Sequence, residues 1–265
     1  MKLIACPGAG AWLTAPAAGD ECAIDDPLCK IALCRRLRVP IFEGNEACPS
    51  CGEPMERFGD HAILCACGGD RAIRHNAARD STYHELRAGN VPVEREKQGL
   101  LPARDQSEGL PGSAQDRRPA DILVTSSRAS RPVALDFAIT SGLQRSELSR
   151  QHWALDSFFQ QYADWKSRYK DTGHHCADQG IHFFPVVIEG HAGGLSPAAR
   201  ELVADLSKEI APVLGADPDL VSLRIAQRIS CSLQRESARA ILRRRELEVP
   251  LPTESGWDAV PMDPE

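Results

Sequence analysis

The sequence predicts an α/β fold: a mixed sheet flanked by helices, with a small cysteine- and histidine-rich module ahead of it. Three observations lead there. Two short apolar runs, residues 122–124 and 133–139, are separated by the polar, turn-rich residues 125–131, and read as a pair of buried strands in a hairpin. Helical patterns lie on both sides of that pair, over residues 70–87 and 146–170. Finally, Cys48, Cys51, His61 and Cys65 crowd four residues of metal-ligand type into one short stretch. Each of the two strands also carries an aspartate, Asp121 opening the first and Asp136 inside the second. A carboxylate in a strand core is costly unless something pairs with it. Two on adjacent strands can share a divalent cation, since hard cations take carboxylate oxygens. Alternatively, Asp121 caps its strand and Asp136 pairs with an arginine.

At 265 residues the chain is long enough for one main domain and a small appendage. No apolar run approaches membrane-spanning length, and no basic region followed by a long apolar one opens the chain. The expected location is therefore intracellular. The net charge of −6 gives no overall basic field, so nucleic-acid binding would depend on local patches. Ten cysteines with close Cys and His spacing, and no leader, favour metal binding over disulfides.

In chain order, residues 1–47 form an N-terminal extension. Within it, residues 26–37 have helical spacing of Leu28, Ile31, Ala32 and Leu37, and end in Arg35, Arg36 and Arg38, cations that suit a helix C-terminus. Cys29 and Cys34 lie near its apolar face and read as buried thiols. Residues 48–67 carry the pattern C-x2-C-x9-H-x3-C. Zinc takes four such ligands tetrahedrally, a CxxC knuckle lets two sulfurs approach one ion, and Gly52 permits the turn. Four protein ligands leave no open position, so the expected zinc is structural. Cys67 in place of Cys65, the nearby His75, or an unliganded cluster of thiols stay open as alternatives.

Asp70 is the expected N-cap of the next helix, which is locally basic through Arg71, Arg74, His75 and Arg79 and is suited to a phosphate backbone or else to a solvated face. Glu85 near its end is placed to reach the metal site only indirectly. Residues 91–97 alternate as a strand, and 100–116 are a loop. The helix over 146–170 buries Leu148, Trp153, Leu155, Phe158, Phe159, Tyr162 and Trp165 and ends in Lys166, Arg168 and Lys170. A buried strand over 180–188 follows. A helix capped by Ser196 with Pro197 at its first position then runs to about residue 210. The main core thus spans 68–212, an amphipathic C-terminal helix lies in 213–248, and the Pro- and acid-rich tail, 249–265, is expected to be disordered.

The order helix, strand, strand, strand, helix, strand, helix, with aspartates on the second and third strands, resembles the PD-(D/E)xK restriction-like nucleases. More narrowly, the chain resembles the C-terminal region of non-LTR retrotransposon reverse-transcriptase proteins that use a restriction-like endonuclease. The resemblance covers roughly residues 28–210. It rests on the Cys48, Cys51, His61, Cys65 knuckle with its Gly-Asp-His, on Arg74-His75-Asn76, on RPAD ending at Asp121, on LDFAIT around Asp136, and on KSRY beginning at Lys166. Two departures stand out. Ala120 separates Pro119 from Asp121, and Ala138 occupies the usual lysine position. The resemblance implies a restriction-endonuclease-like core and a lysine moved onto the following helix, Lys166 first and Lys170 second. It implies Mg²⁺ on Asp121 and Asp136, with the knuckle, the basic helix, Arg117 and Arg118 on DNA. It implies a nuclear DNA endonuclease whose nick primes reverse transcription, here without its polymerase domain, with element RNA or a reverse transcriptase in trans as further partners. Two other functions stay open: a nonenzymatic nucleic-acid-binding relic, and a zinc-stapled protein-interaction domain, which the acidic net charge favours.

Overall fold

A computed structural model describes residues 3–16, 21–44, 46–102, 118–125, 131–143 and 154–245. Its centre is a four-stranded mixed sheet, ordered β3-β4-β5-β6, with β3 Val93–Arg95, β4 Ile122–Val124, β5 Val133–Thr140 and β6 His182–Glu189. The pairs β3/β4 and β4/β5 are antiparallel and β5/β6 is parallel. The parallel pair requires a crossover, which α4 (Leu155–Arg168) and the short α5 (Thr172–Asp178) provide. Strand β3 is shorter than residues 91–97 because Glu96 adopts a left-handed φ of 48° and turns the chain out of the ladder. Short α5 was hidden from sequence by its polar composition, with Cys176 its one buried side chain.

Alternation along β5 sorts the two faces of the sheet. Val133, Leu135 and Phe137 join Ile122, Val124, Val186 and Ile188 in the largest core, against α3 (Asp70–Ala88), α6 (Pro197–Leu214) and α7 (Pro218–Arg245). On the other face, Ala138 and Val187 pack under Phe158 and Phe159 of α4. Asp136 falls between Leu135 and Phe137, and so belongs to the α4 face.

The N-terminal module consists of α1 (Asp26–Leu37), the two-residue strands β1 (Glu46–Ala47) and β2 (Pro54–Met55), and α2 (Asp60–Leu64). Its core of Leu28, Ile31, Phe42, Met55 and Ile63 closes on Ala238 and Ile241 of α7. Helix α7 therefore runs through both cores, with Val221, Ile225, Ile229 and Leu233 against the sheet side. Burying four such side chains contributes on the order of 6–12 kcal/mol before entropy is counted. Among the described residues no helix is long and apolar enough to cross a membrane.

Three local expectations are corrected. Asp70 does not cap α3: left-handed Gly69 holds the cap position, and Asp70 is buried as an ion-pair partner of Arg243 and Arg244. Glu85 has no connection to a metal site: it is fully buried and pairs with Arg224 (2.7 Å) and Arg228 of α7. Cys29 and Cys34 are only partly buried, because α1 buries Leu28, Ile31, Ala32 and Arg35 and leaves the two thiols beside that strip. Helix residues 146–153 and the tail lie outside the described residues.

Candidate functional site

The first candidate is a metal centre in the N-terminal module. Strands β1 and β2 bracket a tight turn in which the Gly52 N–H donates to the Cys48 carbonyl (2.8 Å) and the Cys48 N–H to the Glu53 carbonyl (2.8 Å). Gly52 takes a φ of 78°, a left-handed value that a side chain would strain. The turn brings Cys48 and Cys51 together, and α2 carries His61 to them with Cys65 just past its end. The four ligand atoms lie within 4.8 Å of one another, with Cys48 Sγ 4.0 Å from Cys65 Sγ and Cys51 Sγ 3.2 Å from His61 Nε2. Tetrahedral zinc with bonds of about 2.3 Å separates two sulfurs by about 3.8 Å, so these spacings are compatible with the ion. Burial works against ionising Cys48. The N–H groups of Ser50 and Cys51 and the side chains of His61 and Cys51 outweigh it and hold the thiol near 6. A thiolate is the form that binds metal. Cys67 is exposed and outside the cluster, and His75 pairs with Asp121 instead, so the residues placed to hold a metal ion are Cys48, Cys51, His61 and Cys65.

The second candidate lies at the end of the sheet where β4 begins. Ile122 pairs with Leu135, and the Asp121 N–H donates to the Leu135 carbonyl (2.9 Å), which carries the register on to set Asp121 opposite Asp136. Asp121 Oδ2 accepts from the Phe137 N–H at 2.6 Å, taking over where the neighbouring strand has ended. From α3, His75 Nε2 sits 3.1 Å from the same oxygen and 3.1 Å from the Phe137 carbonyl. From α4, on the other side, Lys166 Nζ approaches Asp136 Oδ2 to 2.9 Å.

Electrostatics differ across the pair. Burial pushes the Asp136 carboxyl up, the nearby charge of Asp121 adds to this, and Lys166 offsets only part, leaving it near 6. Asp121 feels the same burial, but His75 and the Phe137 N–H outweigh it and hold it below the ordinary carboxylate range. For His75, burial lowers the pKa while the charge of Asp121 and the hydrogen bonds to Asp121 and Asn76 raise it to about 9. Two dissimilar carboxylates, each with a cationic neighbour, therefore occupy opposed positions on adjacent strands in a partly buried corner. Their oxygens are the hard donors that Mg²⁺ takes, commonly from one or two carboxylates with water completing the shell.

Around this corner the expected DNA-contacting residues divide. Arg74 is buried and donates to the Ile63 carbonyl (3.2 Å), tying α3 to the metal module. Arg79 is buried against Asp80 (2.9 Å) and Glu96. Arg71, half-buried, donates to the Leu64 carbonyl (Nε, 2.7 Å). These three guanidiniums serve the fold, because α3 is covered by α2 and α7 rather than by solvent alone. Arg118 is exposed, 4.0 Å from Glu96, and Arg117 lies outside the described residues. Lys170 takes another partner: α4 stops at Arg168, Lys170 has a left-handed φ of 54°, and its Nζ lies over the Tyr169 ring at 5.1 Å.

Sequence reading missed His75 as the partner of Asp121, although Arg74-His75-Asn76 marked the place. It also overestimated the burial of α4. Phe158 and Phe159 are buried, whereas Tyr162 and Trp165 are only half-buried, and Leu148 and Trp153 lie outside the described residues. Searches of protein-family models and of curated proteins find no match for this chain.

Proposed function

We propose that the chain is a metal-dependent DNA endonuclease that nicks its target, built on a restriction-like core like that of the non-LTR retrotransposon endonucleases. The observation that carries this reading is the meeting of Asp121, Asp136 and Lys166: two carboxylates from adjacent strands, with a lysine from the next helix 2.9 Å from one of them. Phosphodiester cleavage needs an activated water and relief of the charge that builds on phosphate oxygens. Mg²⁺ held by Asp121 and Asp136 would supply a Lewis acid and lower the pKa of a bound water. Lys166 offers a fixed positive charge to the phosphate oxygens. His75 keeps Asp121 oriented and ionised. The zinc module is proposed to position DNA, and the partners to be DNA, with element RNA or a reverse transcriptase in trans, in the nucleus.

A second reading, a DNA-binding protein without turnover, is favoured by one observation: His75 and Lys166 already balance both carboxylates. A plasmid-nicking assay separates the two. The parent is expected to nick supercoiled DNA with Mg²⁺ and not without added divalent metal. Asp136→Asn and Lys166→Ala are expected to lose roughly a hundredfold or more in rate with DNA affinity kept, as for groups that act on the transition state. Lys170→Ala is expected to nick at near the parental rate once DNA is saturating, because Lys170 lies over Tyr169 and not on Asp136. No nicking by the parent under any divalent metal rejects the nuclease.

A further inference from the structure

The apolar face of α4 outruns the sheet that covers it. At about 100° per residue, Phe158, Phe159, Tyr162, Trp165 and Tyr169 fall along one side of the helix axis. Phe158 and Phe159 are buried on Ala138 and Val187. From the next turn on, cover thins, and Tyr162, Trp165 and Tyr169 are only half-buried. These three rings form a continuous ladder, with centroids 5.4 Å apart for Tyr162 and Trp165 and 5.2 Å apart for Trp165 and Tyr169. Cations are interleaved with them. Lys166 leaves the same turn for Asp136, Arg168 is exposed beside the ladder, and Lys170 lies over the Tyr169 ring. The acidic Asp164 points to the opposite side of the helix, about 160° from Tyr162, and accepts from Gln160 (2.8 Å). Aromatic faces at a partly open surface, flanked by cations, match the chemistry of an unpaired nucleic-acid strand: bases stack on rings and phosphates meet the charges.

We propose that Tyr162, Trp165 and Tyr169 are a stacking platform for unpaired nucleobases, so that the strand engaged beside Asp136 and Lys166 is single-stranded next to the cleavage point. Its placement beside the cleavage point rests on the nuclease reading; base stacking on the ladder does not. Duplex bases stack on one another and present only their edges, so a duplex running past this helix gains nothing from the rings. A frayed, nicked or melted strand can lay its bases on them.

The test is fluorescence anisotropy of the full chain in magnesium-free buffer. The probes are a labelled oligothymidine, the same length of abasic strand, and the corresponding duplex. Oligothymidine is expected to bind tighter than the abasic strand, which has equal charge and no bases. Trp165→Ala and Tyr169→Ala are expected to weaken oligothymidine binding roughly tenfold each and to leave abasic binding unchanged, while Trp165→Phe retains affinity. Equal affinity of the parent for oligothymidine and abasic strand overturns the platform, and that comparison needs no variant to fold. Unchanged oligothymidine binding by a folded Trp165→Ala protein, checked by its thermal unfolding, also overturns it. Plasmid nicking by the parent reports on the nuclease separately. Nicking without base-dependent binding rejects the platform alone, and base-dependent binding without nicking rejects turnover alone.

Discussion

A protonated imidazole between a carboxylate and a carbonyl is stable only while it keeps its proton, and His75 is in that position between Asp121 and Phe137. Its folded pKa, about 9, stands above its ordinary 6.5. The contribution to stability is therefore fully present below about pH 6.5 and is lost as pH rises through about 9. The melting temperature of the metal-free protein is expected to fall across that window. In His75→Asn the fall should be shallower, corresponding to a difference in pH-dependent stability of about 3 kcal/mol. Parallel pH profiles for parent and variant reject this setting of His75. At this scale Asp121 and Asp136 were legible, because charged residues in apolar strands violate the binary pattern. The role of His75 was not: its partners lie 46 and 62 positions further along, and nothing local to α3 announces them.

Among elements, the metal module makes the most direct prediction. Cys51→Ala removes a ligand from the cluster, whereas Cys67→Ala removes an exposed thiol outside it. Zinc content measured on the purified proteins is expected to drop well below one per chain for Cys51→Ala and to stay at about one for Cys67→Ala. Equal loss in both would shift the ligand set. Spacing identified this module because CxxC and a His four positions before a Cys are local geometry. The order of the core elements was legible for a similar reason, since turn formers and apolar runs punctuate residues 91–188. What spacing could not disclose was cover. Arg74 and Arg79 look like a solvated basic face along the helix, but the packing of α2 and the turn at Glu96 enclose them. Trp165 looks like core along its helix, but the sheet ends before reaching it.

For the whole molecule, two carboxylates of α3 decide how α7 is held. Glu85 faces Arg224 and Arg228 at one end, and Asp70 faces Arg243 and Arg244 at the other. Removing one member of a buried ion pair leaves the remaining charge without compensation, at a cost of about 3–5 kcal/mol. Asp70→Ala is expected to lose that much in urea unfolding, because Arg243 and Arg244 stay almost wholly buried. Glu85→Ala is expected to lose less, since Arg224 and Arg228 are 39% and 23% exposed and can rehydrate. The reverse ranking would show that the two ends of α7 are not held in this way. From sequence, α7 read as an appended amphipathic helix. Its polar buried residues, among them Ser230, Gln234 and Ser237, concealed that it is wrapped on most sides.

The long reach of α7 also governs the order in which the chain can mature as it leaves the ribosome. Cys48 to Cys65 can close around a metal early, because their partners are all near in sequence. Yet the inner wall of that module is Ala238 and Ile241, and Asp70 waits for an arginine 174 positions away. Until α7 emerges, the nascent chain carries a module with a wet apolar side and a carboxylate without its counter-ion. Such a half-finished surface is what holdase chaperones bind and what proteases cut. A ribosome-bound chain stalled before Ala238 should therefore be cleaved readily by added protease, even when zinc is already in place.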